Sequence, residues 1–309
     1  MTPVFLLIAA GVVAGRVGWV RGEAIKDLSR LTFNLLIPAL LFRTMSSVHL
    51  DQLDLTPIAA YYLASLGLLA AMVAFFGYHT KGVVMALAGV FSNMVMIGIT
   101  LVGLAYGQEG LVTLLTLVSV QNIILLTAST VVLELATARA SGGFASASGW
   151  ARWWAALATA GRAFKGVLLQ PIPLPIIGGL LFAQTGWQLP AEVDKPLALL
   201  GNAFGPLALV LVGATLASNR MAAHWRQALV VCVCKNLVQP LLVGISAWAM
   251  GIEGLALTVM VVAAGLPMGA NVFLLSQRYG VAHDFVTASL GVSTVMALFT
   301  LSAIMLLMA

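Results

Sequence analysis

Residues 254–281 read GLALTVMVVAAGLPMGANVFLLSQRYGV. The stretch is long and apolar enough to cross a bilayer, for which about 20 residues suffice, yet Gly265, Pro267, Gly269 and Asn271 interrupt its middle. Proline lacks the N–H that a helix interior requires, and glycine is a weak helix former, so a helix breaks here. Within lipid the freed backbone groups find no water, and such a break survives only buried in protein or lining a cavity. Residues 82–106, GVVMALAGVFSNMVMIGITLVGLAY, carry a second interruption at Ser92, Asn93 and Gly98, and both stretches end in Tyr-Gly, at Tyr106-Gly107 and Tyr279-Gly280. Two interrupted spans in corresponding halves of a chain point to a transporter's binding site.

The rest of the 309-residue chain has the same character, being 61% hydrophobic and 8% charged, where a soluble domain carries about 25% charged residues. The expected fold is an all-α integral membrane protein with ten transmembrane helices, near 3–19, 28–47, 56–77, 82–106, 110–134, 166–184, 196–217, 227–250, 254–278 and 284–308. Twelve of the fifteen basic residues fall in the loops that follow odd-numbered spans; Arg43 and Lys195 lie on the other side, and Lys235 lies inside a span. Cytoplasmic loops retain the basic residues, so both termini are expected on the extracytoplasmic side of the cell (inner) membrane. The net charge of +5 thus serves orientation and implies no nucleic acid partner. The first segment has no basic residue ahead of its apolar run and reads as a retained helix, not a cleaved signal. Cys232 and Cys234, two apart in an apolar helix, read as reduced core residues.

The two halves match each other. At an offset of 168, Gly11 falls on Gly179, Gly18-Trp19 on Gly186-Trp187, Asn34 on Asn202 and Pro38 on Pro206; at 173, Tyr106-Gly107 falls on Tyr279-Gly280 and Gln121 on Thr294. Five spans per copy is an odd number, so the copies are inverted repeats, 1–134 and 166–309, as in many secondary transporters. Residues 135–165 form a Gly/Ser/Ala-rich cytoplasmic linker, in which Trp150, Trp153 and Trp154 beside Arg152 suit either a segment at the membrane interface or a flexible connection.

No phosphate-binding loop, dinucleotide fingerprint, HExxH or GxSxG occurs, the four histidines lie far apart, and no cofactor or metal is implied. All ten acids fall in loops or near span ends, whereas proton relays and charged cation sites place acids at mid-membrane. A centre of amides, hydroxyls and helix ends favours an anion. The second half-helix after each break begins with unpaired N–H groups at the positive end of a dipole, which attract carboxylates or phosphates. Ser92 and Asn93, with Gly269 and Asn271, are placed to complete such a site or, alternatively, to satisfy backbone freed at the kinks. Lys235, about three residues from the middle of its span, is open to pairing with an anionic substrate, bracing the broken ninth helix, or snorkelling. Gln121-Asn122 and the matching Ser293-Thr294 suit holding the broken helices or ligating sodium. Asn34 and Asn202, each four residues before a proline, suit capping the carbonyl that the proline leaves without a donor. Arg43 lies near a span end and suits snorkelling.

The runs LSRLTFNLLIPALLF (28–42), FSNMVMIGITLVGLAYG (91–107), GPLALVLVGATLA (205–217), Lys235 followed by Pro240, and GLPMGANVFLLSQRYG (265–280) resemble the auxin efflux carrier family, in its bacterial branch of malonate-transporter-like proteins. The resemblance implies the ten-helix fold shared with bile acid sodium symporters: a scaffold of helices 1, 2, 6 and 7, a transport domain of helices 3–5 and 8–10, and discontinuous helices 4 and 9 crossing at their breaks. Asn93 and Pro267 to Asn271 then occupy the crossover where substrate binds. Two departures matter. Thr100 stands where the family usually has proline, which leaves the first break to Gly98 and the Ser92-Asn93 pair. The ninth helix lacks the glutamate that bile-acid-type members use for sodium. The expected function is transport of small organic anions, such as malonate or auxin-like acids, by movement of the transport domain against the scaffold. A sodium-coupled symporter and a receptor that binds without translocating are the rivals. The partners expected are the substrate, the bilayer and a second copy of the chain against the scaffold helices.

Overall fold

The computed structural model describes residues 2–47, 55–121, 124–125, 127–140, 173–218, 225–269 and 271–308. Among the described residues the backbone is almost entirely helical, and extended pairing is confined to one isolated bridge. The first half contains α1 (Thr2–Val17), α2 (Gly22–Leu31), α3 (Ile37–Met45), α4 (Thr56–Phe76), α5 (Thr80–Ala88), α6 (Ile99–Gln121) and α7 (Thr127–Ala140). The second contains α8 (Pro173–Gln184), α9 (Ala191–Ser218), α10 (Trp225–Val233), α11 (Gln239–Ala249), α12 (Gly254–Gly265), α13 (Asn271–Tyr279) and α14 (His283–Leu307). Most of the expected linker, with its tryptophans, and Asn122 lie outside the described residues; α7 runs six residues past the expected end of the first repeat.

Among the described residues, five helical stretches are long and apolar enough to cross a membrane: Thr56–Phe76, Met94–Gln121, Ala191–Ala217, Arg226–Ala249 and His283–Leu307. Met94–Gln121 is not a straight rod. Gly107 adopts φ 64° and ψ −154°, and a Cβ built on Gly110 would lie 3.1 Å from Val102, while one on Gly103 would lie 3.4 Å from Leu111. Eight residues of continuous helix would separate these partners by about 12 Å. The chain therefore reverses at Gly107, where a residue with a Cβ would be strained.

π turns widen helices at Thr32–Leu36, Met94–Gly98 and Cys234–Val238. Two of them precede prolines, Pro38 and Pro240. Because proline offers no N–H to the carbonyl four residues back, the ladder shifts to i→i−5 bonds, Ile37 N to Thr32 O and Gln239 N to Cys234 O. The side chains of Asn34 and Asn202 take no part in this. Both are exposed and make no hydrogen bond among the described residues, so the expected capping gives way to a change of helix pitch at Pro38 and to a continuous α9 through Pro206.

Close packing holds α1 against α9 and α3 against α8. A Cβ on Gly11 would collide with the carbonyl of Val210, and one on Gly213 would collide with the carbonyl of Ile8 and stand 2.9 Å from Gly11 Cα; a Cβ on Gly179 would stand 2.7 Å from Phe42 O and 2.8 Å from Met45 Cβ. These contacts correspond residue by residue at an offset of 168. The centre of the molecule is formed by α5, α6 and α12, and every residue of α12 from Thr258 to Gly265 is buried, consistent with its being apolar on all faces.

Candidate functional site

The helix α5 ends at Ala88 and the chain resumes helical geometry at Met94; α12 ends at Gly265 and α13 begins at Asn271. The two interruptions meet. Asn93 N donates to Pro267 O at 2.8 Å, and Gly269 N donates to Phe91 O at 2.9 Å, forming an antiparallel bridge between Ser92 and Met268. A Cβ on Gly269 would press on the backbone of Ser92 at 3.1 Å, so glycine permits the approach.

Every carbonyl exposed by the breaks between Val90 and Ser92 and between Ala264 and Pro267 has a donor, as buried backbone demands. Gln239 Nε2 donates to Val90 O (2.8 Å) and Gln121 Nε2 to Ser92 O (3.2 Å). Lys235 Nζ donates to Ala264 O (2.6 Å) and Leu266 O (2.7 Å), and Asn236 Nδ2 donates to Gly265 O (3.2 Å). The hydroxyl of Ser293 links the set, donating to Asn236 Oδ1 at 2.7 Å and accepting from Met268 N at 2.9 Å. The π turn between α10 and α11 and the first residue of α11 thus serve the carbonyl ends of both broken helices, through Lys235 with Asn236 on one side and Gln239 on the other.

The donor side is less complete. Asn93 caps its own half-helix, its Oδ1 accepting from Met96 N at 3.3 Å, whereas the first-turn N–H groups of Met94 and Val95 have no acceptor among the described residues. Asn93 is partly exposed, and Asn271, the first residue of α13, is half-buried. Ser92 is less available: its hydroxyl pairs with Tyr61 Oη at 3.1 Å and its carbonyl is taken by Gln121. The amide oxygens of Gln121 and Gln239 are buried without partners among the described residues.

The structure brings Ser92, Asn93, Pro267, Gly269, Asn271, Lys235 and Gln121 to one place, and corrects two expectations, at Gly98 and at Arg43. The first break falls at Gly89–Asn93; Gly98 lies inside the Met94–Gly98 π turn, where its missing Cβ admits Leu266 Cδ1, 2.7 Å from where that atom would be. Thr100 is helical and its hydroxyl bonds back to Met96 O at 3.3 Å, a contact that bends helices. Arg43 does not snorkel alone but forms a two-pronged ion pair with Asp194, Nε–Oδ1 2.7 Å and Nη2–Oδ2 3.2 Å, tying α3 to the start of α9. Tyr61 and Ser65 escaped the sequence reading; the polar side chains within the apolar run of α4 are the feature that could have flagged them.

One cavity adjoins the site, and a second lies beside the first. The first, of about 20 Å³, lined by Val4, Ile8, Ile97, Pro267 and Thr294 among others, has room for little more than one water. The second, about 840 Å³, lies between α1, α9 and α14, shares Phe5, Ile8 and Leu298 with the first, and has Arg16 as the charged residue in its wall.

Paired helix breaks at the centre of a multi-pass helical chain define a membrane transporter. The chain belongs to the family described as Membrane transport protein, whose model matches residues 1–145 and 157–305; this is the auxin efflux carrier family that its motifs resemble. It is 23% identical to the "Putative malonate transporter" of Rhizobium meliloti (strain 1021) over 99% of this chain and 93% of that one. It is also 23% identical to "Auxin efflux carrier component 8" of Arabidopsis thaliana, over 45% of this chain and 40% of that one. An "Uncharacterized transporter" of Methanothermobacter thermautotrophicus is 23% identical over 96% of this chain and 94% of its own length. The chain is a transporter, not an enzyme.

Proposed function

We propose that this protein carries small organic anions, malonate-like dicarboxylates or auxin-like acids, across the inner membrane, binding them where the two helix breaks meet. One observation carries the reading: all the carbonyls of the breaks from Val90 to Ser92 and Ala264 to Pro267 are occupied, while the N–H groups of Met94 and Val95, at the start of the next half-helix, have no acceptor among the described residues. The site's spare hydrogen-bonding capacity therefore includes donors at the positive end of a helix dipole, the environment a carboxylate seeks. Asn93 and Asn271 flank that end and supply orientation. Malonate does not fit the small cavity, so α1 and its partners must shift relative to the crossover. This supports alternating access by a transport domain of the third to fifth and eighth to tenth spans sliding on a scaffold of the first, second, sixth and seventh. The larger cavity provides an approach path, with Arg16 drawing anions toward it.

The test is counterflow of labelled malonate and indole-3-acetate in proteoliposomes. The native protein exchanges at least one, and Asn93→Ala and Asn271→Ala lower exchange by about tenfold or more, the loss of roughly 1.4 kcal/mol of binding per decade. Binding without counterflow would make the protein a receptor, and unaltered exchange in both variants would place the substrate elsewhere.

A further inference from the structure

The end of α12 has the architecture of a cation site. Helix C-termini present unpaired carbonyls at the negative end of the dipole, and in broken membrane helices such ends coordinate alkali ions. Here Ala264, Gly265 and Leu266 present three successive carbonyls to the same helix turn. The group that meets them is an amine: Lys235 is 0% exposed, its Nζ lies 2.6 and 2.7 Å from two of the oxygens, and Asn236, locked by Ser293, takes the third. No carboxylate pairs with Lys235 among the described residues; the ion pairs there are Arg30–Asp27 and Arg43–Asp194. A buried ammonium held by neutral oxygens alone has the ligand set of a hard monovalent metal ion, and two of its three N–H donors are directed at backbone here.

We propose that the Lys235 ammonium is a tethered cation standing in the position of a free monovalent metal ion, bracing the broken helix so that no sodium is needed there. Its consequence for coupling rests on the transport reading above; the cation position itself does not. The lysine's single charge and the broken helix's carbonyl end then travel together whichever way the carrier faces.

The test compares thermal unfolding of the purified full-length protein in lipid nanodiscs with sodium, potassium, n-propylammonium or choline chloride at equal ionic strength. The native protein unfolds at the same temperature in all four. Lys235→Ala, which deletes the equivalent of propylamine, unfolds at a lower temperature, and sodium, potassium or n-propylammonium raises it saturably by about 5 °C over choline. Lys235→Met, which refills the space without charge, is equally destabilised and responds to none of them. Should Lys235→Ala not accumulate, Lys235→Gln, which keeps a donor for one carbonyl, is read in the same way. Sodium-specific stabilisation of the native protein, or an alanine or glutamine variant indifferent to every cation, overturns the proposal. A cation response without anion counterflow would retain the tethered cation and dismiss the transport reading alone.

Discussion

Asn236 and Asn34 are both asparagines four residues before a proline in a membrane-length helix, with opposite surroundings. Asn236 is fully buried, donating to Gly265 O and accepting from Ser293 Oγ; Asn34 is exposed. Removing a partner from a buried polar group costs about 1–3 kcal/mol, whereas an exposed substitution away from such contacts stays within about 0.5 kcal/mol. Asn236→Ala is therefore expected to lower Tm by roughly 5 °C, and Asn34→Ala to leave it unchanged. Equal effects in differential scanning fluorimetry would show that the amide at this position acts through its proline and not through its contacts. The sequence alone cannot separate the two residues, because what distinguishes them is the arrival of a carbonyl from a helix 29 positions further along the chain.

Helix interruptions are legible in sequence because glycine, proline and small polar residues change backbone energetics locally, and the breaks fall at Ser92-Asn93 and at Pro267–Gly269 as their residue types require. Their pairing is not legible, since the Ser92–Met268 bridge joins residues 176 positions apart. The same holds for Arg43, whose partner Asp194 is separated from it by 151 positions, and for Gly98, which reads as a helix breaker and serves as a gap for Leu266. Between elements, the tightest requirement lies at α1 and α9, where Gly213 faces the carbonyl of Ile8 and the Cα of Gly11 across helix backbones. Backbone cannot yield as a flexible side chain can. Gly213→Val is expected to force the helices apart and cost about 1–3 kcal/mol or more, visible as reduced yield of monodisperse protein in size-exclusion chromatography. Gly22→Ala, in α2 with open space around its missing Cβ, should leave the yield unchanged.

Across the whole molecule, the sequence matches between the halves coincide with matching geometry. Gly11 packs on Val210 and Gly179 on Phe42, a pair of contacts that exchange under one offset. Gly18 and Gly186 adopt φ 81° and 71°, and the tryptophans that follow them are 78% and 76% exposed, suiting interfacial belts. Gly107 and Gly280 adopt φ 64° and 66°, each ending a broken helix and starting the return. If the halves are inverted copies, these last two turns, alike in sequence and backbone, stand on opposite faces of the membrane. The distribution of basic residues predicts that Gly107 lies outside and Gly280, which follows Arg278, in the cytoplasm. The prediction is read by cysteine labelling in a Cys232→Ala, Cys234→Ala background. In intact cells a membrane-impermeant maleimide should modify Gln108→Cys at once and Asp284→Cys only after permeabilisation. Labelling of both from outside would mean that the copies run parallel, and the two half-helix ends would then no longer approach the crossover from opposite sides, which is the geometry that lets one anion site be reached alternately from either face.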